Sequence, residues 1–151
     1  MERIASFTVD HDVLVPGLYL SRRDGSVVTY DLRFKRPNTG DLLTNAEMHS
    51  VEHIIATALR NSAAKDAVIY FGPMGCQTGF YLLIRNADNE EVLSVVKSVL
   101  QQIIDHTGEM FGMERIACGN YLNLSVEDAK TECARYLEVL QNKVNDFLYK
   151  E

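Results

Sequence analysis

A chain of 151 residues, 46% of them hydrophobic, can bury about 70% of its unfolded surface around one core, so residues 1–151 are read as a single domain. The formal net charge of −6 lacks the basic footprint that a nucleic-acid partner demands. Met1-Glu2-Arg3 is followed by no apolar signal core, no stretch approaches the ~18 apolar residues of a membrane span, and three cysteines without a CxxC pair exclude a zinc knuckle; a soluble cytoplasmic protein with no membrane partner is expected.

Leu18 to Arg23 and Val27 to Phe34 flank Asp24-Gly25, a hairpin turn signal, and Val28, Tyr30, Leu32 and Phe34 alternate as one buried face with Arg33 on the other. Thr44-Asn45-Ala46-Glu47 is a capping-box pattern. The Met48, Val51, Ile54, Ile55, Ala58 and Leu59 series that follows predicts a helix from about Asn45 to Asn61. Ala67 to Phe71 and Gly79 to Arg85 read as two strands joined by a loop from Gly72 to Thr78. A second helix is predicted from near Asp88 to about His106, with Val92, Val95, Val96, Val99, Leu100 and Ile103 on its inner face. Met113 to Ala117 is a candidate short strand leading into Cys118-Gly119-Asn120, and Ser125-Val126-Glu127-Asp128 opens a terminal helix reaching about Leu148. This order predicts an α+β fold, a single-domain sandwich of a mostly antiparallel four-stranded sheet with helices packed on it.

Within the first helix, His49-Ser50-Val51-Glu52-His53 sets two histidines one turn apart on the same side, where both imidazoles can reach one ion. Glu52 falls beside them, near a metal without having to bind it, which is where a general base belongs. At about 100° per residue, His49, Glu52, His53 and Ala56 lie opposite the apolar stripe. Either that face is solvated, or a second segment or subunit roofs it; a metal site needs a third ligand.

The cysteines carry different readings. Cys76 stands among Gly72, Gly75 and Gly79, where close backbone amides favour a thiolate, or where glycines simply make a tight connection around a small buried residue. Cys118 at a strand-to-loop junction suits either a metal ligand or a small hydrophobe. Cys133 falls inside the amphipathic terminal helix and reads as packing.

The HSVEH pentad, PMGCQTGFY from Pro73 to Tyr81, the segment Ala117 to Asn120, SFTVDH from Ser6 to His11 and DLRFKRPN from Asp31 to Asn38 together resemble the S-ribosylhomocysteine lyases, the LuxS family, over nearly the whole chain. The resemblance implies one divalent metal per chain, held by His49, His53 and Cys118 with a fourth position open. That metal is Fe(II) in the cell, with zinc or cobalt able to substitute. It further implies a homodimer with active sites near the interface, whose second subunit would supply the roof. The implied reaction cleaves the thioether of S-ribosylhomocysteine to homocysteine and 4,5-dihydroxy-2,3-pentanedione, the autoinducer-2 precursor. Glu52 and Cys76 are implied as catalytic proton-transfer groups, and Ser6, His11 and Arg33 as substrate-binding residues; Gln77 receives no role.

HxxEH is also the signature of inverzincin metallopeptidases. In that reading Glu52 activates a zinc-bound water and Glu127 is the candidate third ligand, leaving Cys76 and Cys118 without a task. A purely structural metal domain would close its site with four ligands, whereas two histidines and a cysteine leave one position open.

Overall fold

Two alternating segments on either side of a left-handed Gly25 (φ 62°) pair as an antiparallel hairpin, β1 (Gly17–Asp24) and β2 (Val27–Arg33), in the computed structural model, which describes residues 1–150. Two further strands, β3 (Val68–Pro73) and β4 (Gly79–Arg85), complete a wholly antiparallel sheet in the order β1-β2-β4-β3. Helices α1 (Asn45–Arg60), α2 (Asn89–Ile104) and α3 (Val126–Gln141) pack on it. Each begins at a side-chain cap: Thr44, Asp88 and Ser125 accept from the backbone N–H of Glu47, Glu91 and Asp128, satisfying a donor the helix cannot pair itself. The expected α+β sandwich is what forms.

Tyr30, Leu32, Phe80 and Leu82 line the inner sheet face and meet Val51, Ile54, Ile55 and Leu59 of α1 and Val96, Val99, Leu100 and Ile103 of α2. Tyr136 of α3 stacks on Phe34 with ring centroids 4.0 Å apart. Cys133, fully buried beside it, packs as expected, and burial pushes its thiol pKa up, far from thiolate chemistry.

Three element boundaries differ from expectation. Met113 to Ala117 forms no strand; the N–H groups of Ala117 and Cys118 both donate to the Glu114 carbonyl, winding the segment into turns. The second helix stops at Ile104, two residues before His106. The terminal helix stops at Gln141, well short of Leu148, because Asn145 Nδ2 takes the Leu140 carbonyl and a left-handed Phe147 (φ 63°) folds the chain back over β1. Val144 and Leu148, which continue the helical spacing, are exposed, while Phe147 is buried and its carbonyl accepts from Leu20 N–H. This covers one edge of the sheet. At the other edge the Arg60 guanidinium donates to the carbonyls of Val68 and Ile69.

Gly79 opposes Arg33 across the β2–β4 ladder, and a Cβ there would stand 2.6 Å from the Leu32 carbonyl oxygen and 3.2 Å from Arg33 Cα. A Cβ on Gly75, in the same loop region, meets nothing within 4 Å. Gly79→Ala is therefore expected to cost about 1–3 kcal/mol and Gly75→Ala within about 0.5 kcal/mol, read as thermal unfolding midpoints at one fixed protein concentration. Equal midpoints for the two variants would remove the close approach as a constraint.

Candidate metal centre and thiol site

Because α1 turns its apolar stripe into the core, His49 and His53 project from the opposite side. That side is roofed by the chain running from α2 to α3. His49 Nδ1 donates to Asn123 Oδ1, and His53 Nδ1 to the Phe111 carbonyl at 3.3 Å. These partners assign the tautomers and leave both Nε2 atoms as bare acceptors. The Nε2 atoms lie 3.1 Å apart, and Cys118 Sγ lies 3.3 Å from that of His49. All three donor atoms fall within 4.8 Å of one another. A tetrahedral ion with bonds of about 2.0–2.1 Å to nitrogen and about 2.3 Å to sulfur sets such atoms roughly 3.3–3.6 Å apart. Two imidazole nitrogens and a sulfur gathered within 4.8 Å, with the separations about His49 close to those values, form a donor set that fits a metal. Asn120 N–H donates to Cys118 Sγ at 3.4 Å, holding the sulfur in place beside the imidazoles.

The roof is stitched to the helix that it covers. Asn123 Nδ2 donates to Asn45 Oδ1 at the start of α1, and Ser125 N–H donates to the buried Ser50 Oγ, each at 2.8 Å. Gly112, with φ 70°, lies over the His53 ring where a Cβ would come within 3.3 Å of Nδ1. Glu127, the third ligand required by the peptidase reading, is exposed in the first turn of α3 and does not belong to the donor group; Cys118 takes that place.

A second cluster surrounds Cys76. Arg33 and Asp31 project from the sheet face that the helices leave uncovered, yet they are only 3% and 1% exposed. The face that carries Arg33 is thus a buried polar site, not an ordinary solvated one. Arg33 Nε and Nη2 grip both Asp31 oxygens at 3.1 and 2.6 Å, and Nη1 donates to Thr78 Oγ1 at 2.7 Å and to Cys76 Sγ at 3.8 Å. Burial by itself works against the guanidinium charge, but adjacent Asp31 outweighs it and holds the Arg33 pKa above its ordinary value. Having accepted from Arg33, the Thr78 hydroxyl is free to donate to Cys76 Sγ, 3.1 Å away. An exposed thiol thus has a fixed cation and a hydroxyl donor beside it.

Gln77, which received no role, joins this loop to α1: in a left-handed conformation (φ 64°) it exchanges backbone and side-chain hydrogen bonds with Leu43, just before the helix cap. Ser6 lies in a single 3-10 turn, Ala5–Phe7, and His11 Nδ1 contacts only the Val9 carbonyl at 2.8 Å. Glu52 is half-buried between the histidines. Among the described residues no hydrogen bond links Ser6, His11 or Glu52 to the metal donors or to Cys76, and none links the two clusters to each other. Thr78, Asp31, Asn123 and the Phe111 carbonyl escaped the sequence reading. Only Asp31, two residues before Arg33 on the same strand face, carried a signal that could have revealed it.

The profile of S-Ribosylhomocysteinase (LuxS) matches residues 4–146 of the chain. The S-ribosylhomocysteine lyase of Finegoldia magna is 41% identical over 157 aligned residues, covering 100% of both chains. That of Desulfotalea psychrophila is 43% identical, and that of Borrelia garinii 40%, each covering 94% of both chains. With the profile spanning nearly all of the two clusters and the strands and helix that position them, this chain belongs to the S-ribosylhomocysteinase (LuxS) family.

Proposed function

We propose that the chain is a metal-dependent S-ribosylhomocysteine lyase acting as a cytoplasmic homodimer with active sites near the interface, in which the His49–His53–Cys118 centre and the Cys76–Arg33 cluster serve one reaction. The observation that carries this reading is the convergence of two bare imidazole nitrogens and a cysteine sulfur on one point. The dimer is supported by surface character. Ile4 and Phe7 are 57% and 69% exposed in the N-terminal segment that also holds Ser6 and His11. Tyr70 is exposed, and Tyr81 and Leu83 are half-buried, on the open sheet face around Arg33. Apolar area of this kind marks contact surfaces.

The substrate's sulfur sits on C5, and its elimination requires a carbonyl at C3, so the aldehyde at C1 has to migrate to C2 and then to C3. Each migration removes a proton beside a carbonyl and returns one to the neighbouring carbon. His49, His53 and Cys118 would hold a divalent ion, Fe(II) in the cell with zinc or cobalt able to substitute, which would supply Lewis acidity toward the oxygens on which negative charge builds. Cys76, set beside Arg33 and Thr78, takes and returns the carbon-bound protons. Glu52, on the histidine face of α1, exchanges protons with the sugar oxygens and takes the C4 proton in the final step. The C4=C5 double bond then forms as the C5–S bond breaks and homocysteine leaves, and the enol product tautomerises to 4,5-dihydroxy-2,3-pentanedione. Ser6, His11 and Arg33 hold the substrate.

Protein loaded anaerobically with Fe(II) or cobalt should release homocysteine from S-ribosylhomocysteine, and Cys76→Ala and Glu52→Gln should each lower kcat/KM by about 10²–10⁴-fold. Absence of thiol release from protein carrying one metal per chain would overturn the lyase reading. Cys118→Ala should lose the metal by elemental analysis; retention of a full equivalent would favour a peptidase-like ligand set.

A further inference from the structure

We propose that Tyr149, in the C-terminal tail and outside the 4–146 stretch that the family profile matches, is a positioning residue that holds Arg33 against Cys76 by anchoring Asp31. Its phenol donates to Asp31 Oδ2 at 2.8 Å, the same oxygen that accepts from Arg33 Nη2. With that carboxylate fixed, the guanidinium plane is fixed, and its remaining nitrogen, Nη1, is the one that reaches Thr78 and Cys76. The relay therefore runs from Tyr149 through Asp31 and Arg33 to the thiol. It rests on the reading of Cys76 as a proton-transfer group.

The tail is built to present this hydroxyl. Phe147 enters the core and its carbonyl bonds Leu20 N–H of β1. Lys143 Nζ donates to the Pro16 carbonyl and to the Tyr19 hydroxyl, lying where a Cβ on Gly17 would come within 2.5 Å of it. The Tyr149 ring then stacks on Tyr19, centroids 5.0 Å apart and planes 12° from parallel. Tyr19 and Asp31 are direct partners across the β1–β2 ladder, so the stack delivers the phenol onto the carboxylate.

Arg33 of β2 and Tyr81 of β4 face the thiol, while Tyr19 of β1 and Tyr149 of the tail face the Asp31–Arg33 pair, with Lys143, Asp146 and Lys150 of the tail beside Tyr19. Burial first, and then the Asp31 charge, push all three tyrosines above the ordinary phenol range. They stay neutral hydrogen-bond donors. Loss of the Tyr149 hydroxyl removes one of the bonds that hold Asp31 and lets Arg33 move with it, so Cys76 Sγ loses its neighbouring cation.

The test follows iodoacetamide alkylation of Cys76 in the metal-loaded protein against pH, by peptide mass mapping, for wild type, Tyr149→Phe, Tyr149→Ala and Phe147→Ala. Tyr149→Phe keeps the stacked ring and removes only the hydroxyl. Its profile is expected to move up by about half to one pH unit, with the rate at neutral pH about three- to tenfold lower and the high-pH plateau unchanged. Phe147→Ala, which releases the tail, should shift the profile in the same direction, and combining it with Tyr149→Phe should add little. A Tyr149→Phe profile superimposed on wild type overturns the proposal, and so does a shift confined to Tyr149→Ala, which would assign the effect to ring packing. Alkylation needs no turnover, so failure of homocysteine release would overturn the lyase reading while this result stood or fell by itself.

Discussion

One helix has to satisfy two opposite demands. The inner stripe of α1, Val51, Ile54, Ile55 and Leu59, is sealed into the core, and this fixes the rotation of the helix about its axis. With that rotation set, His49 and His53 can only point outward, and their nitrogens meet because the two residues are one turn apart. The segment joining α2 and α3 then has to come back over α1, since imidazoles left in water would be neither oriented nor supplied with a third ligand. Ser50 shows how tightly the demands are coupled: a buried hydroxyl between the two stripes accepts the N–H that begins α3. Ligand geometry is thereby tied to the same contacts that hold the fold together.

The sheet divides its labour in a similar way. β2 sends Val28, Tyr30 and Leu32 into the core and Asp31 and Arg33 to the far side, where an ion pair almost without solvent contact is held by two hydrogen bonds. Such a pair contributes less to stability than its Coulomb energy suggests, because both charges have lost their water. Its value is directional: two bonds tie the guanidinium plane to the carboxylate, so the donor left over points where Asp31 is held. Thr78 joins the pair to the Cys76 loop, and its carbonyl also accepts the N–H groups of Phe34 and Lys35, locking the loop to the end of β2.

What was legible in the sequence was what depends on near neighbours. Thr44, Asp88 and Ser125 mark helix starts through side-chain-to-backbone bonds spanning three residues, and all three helices begin at them. The alternation of β2 and the spacing of α1 identified the core and placed both histidines. The burial of Arg33 was not legible, because Asp31 is capped from a tyrosine 118 residues further along the chain. Nor were the partners of the histidines: a backbone carbonyl such as that of Phe111 carries no residue-type signal. The end of the last helix was misread because Leu137, Leu140, Val144 and Leu148 keep helical spacing, whereas burial follows Phe147 and its left-handed turn.

The two capped sheet edges limit how copies of this chain can associate. Part of each border is already taken: Leu20 N–H of β1 is engaged by the Phe147 carbonyl, and the Val68 and Ile69 carbonyls of β3 by Arg60. Strand addition, the route to continuous sheets and fibres, would have to displace these bonds first. A contact that meets the open sheet face broadside leaves these bonds intact. The same caps that finish the monomer's hydrogen bonding therefore raise the cost of pairing another strand at those positions.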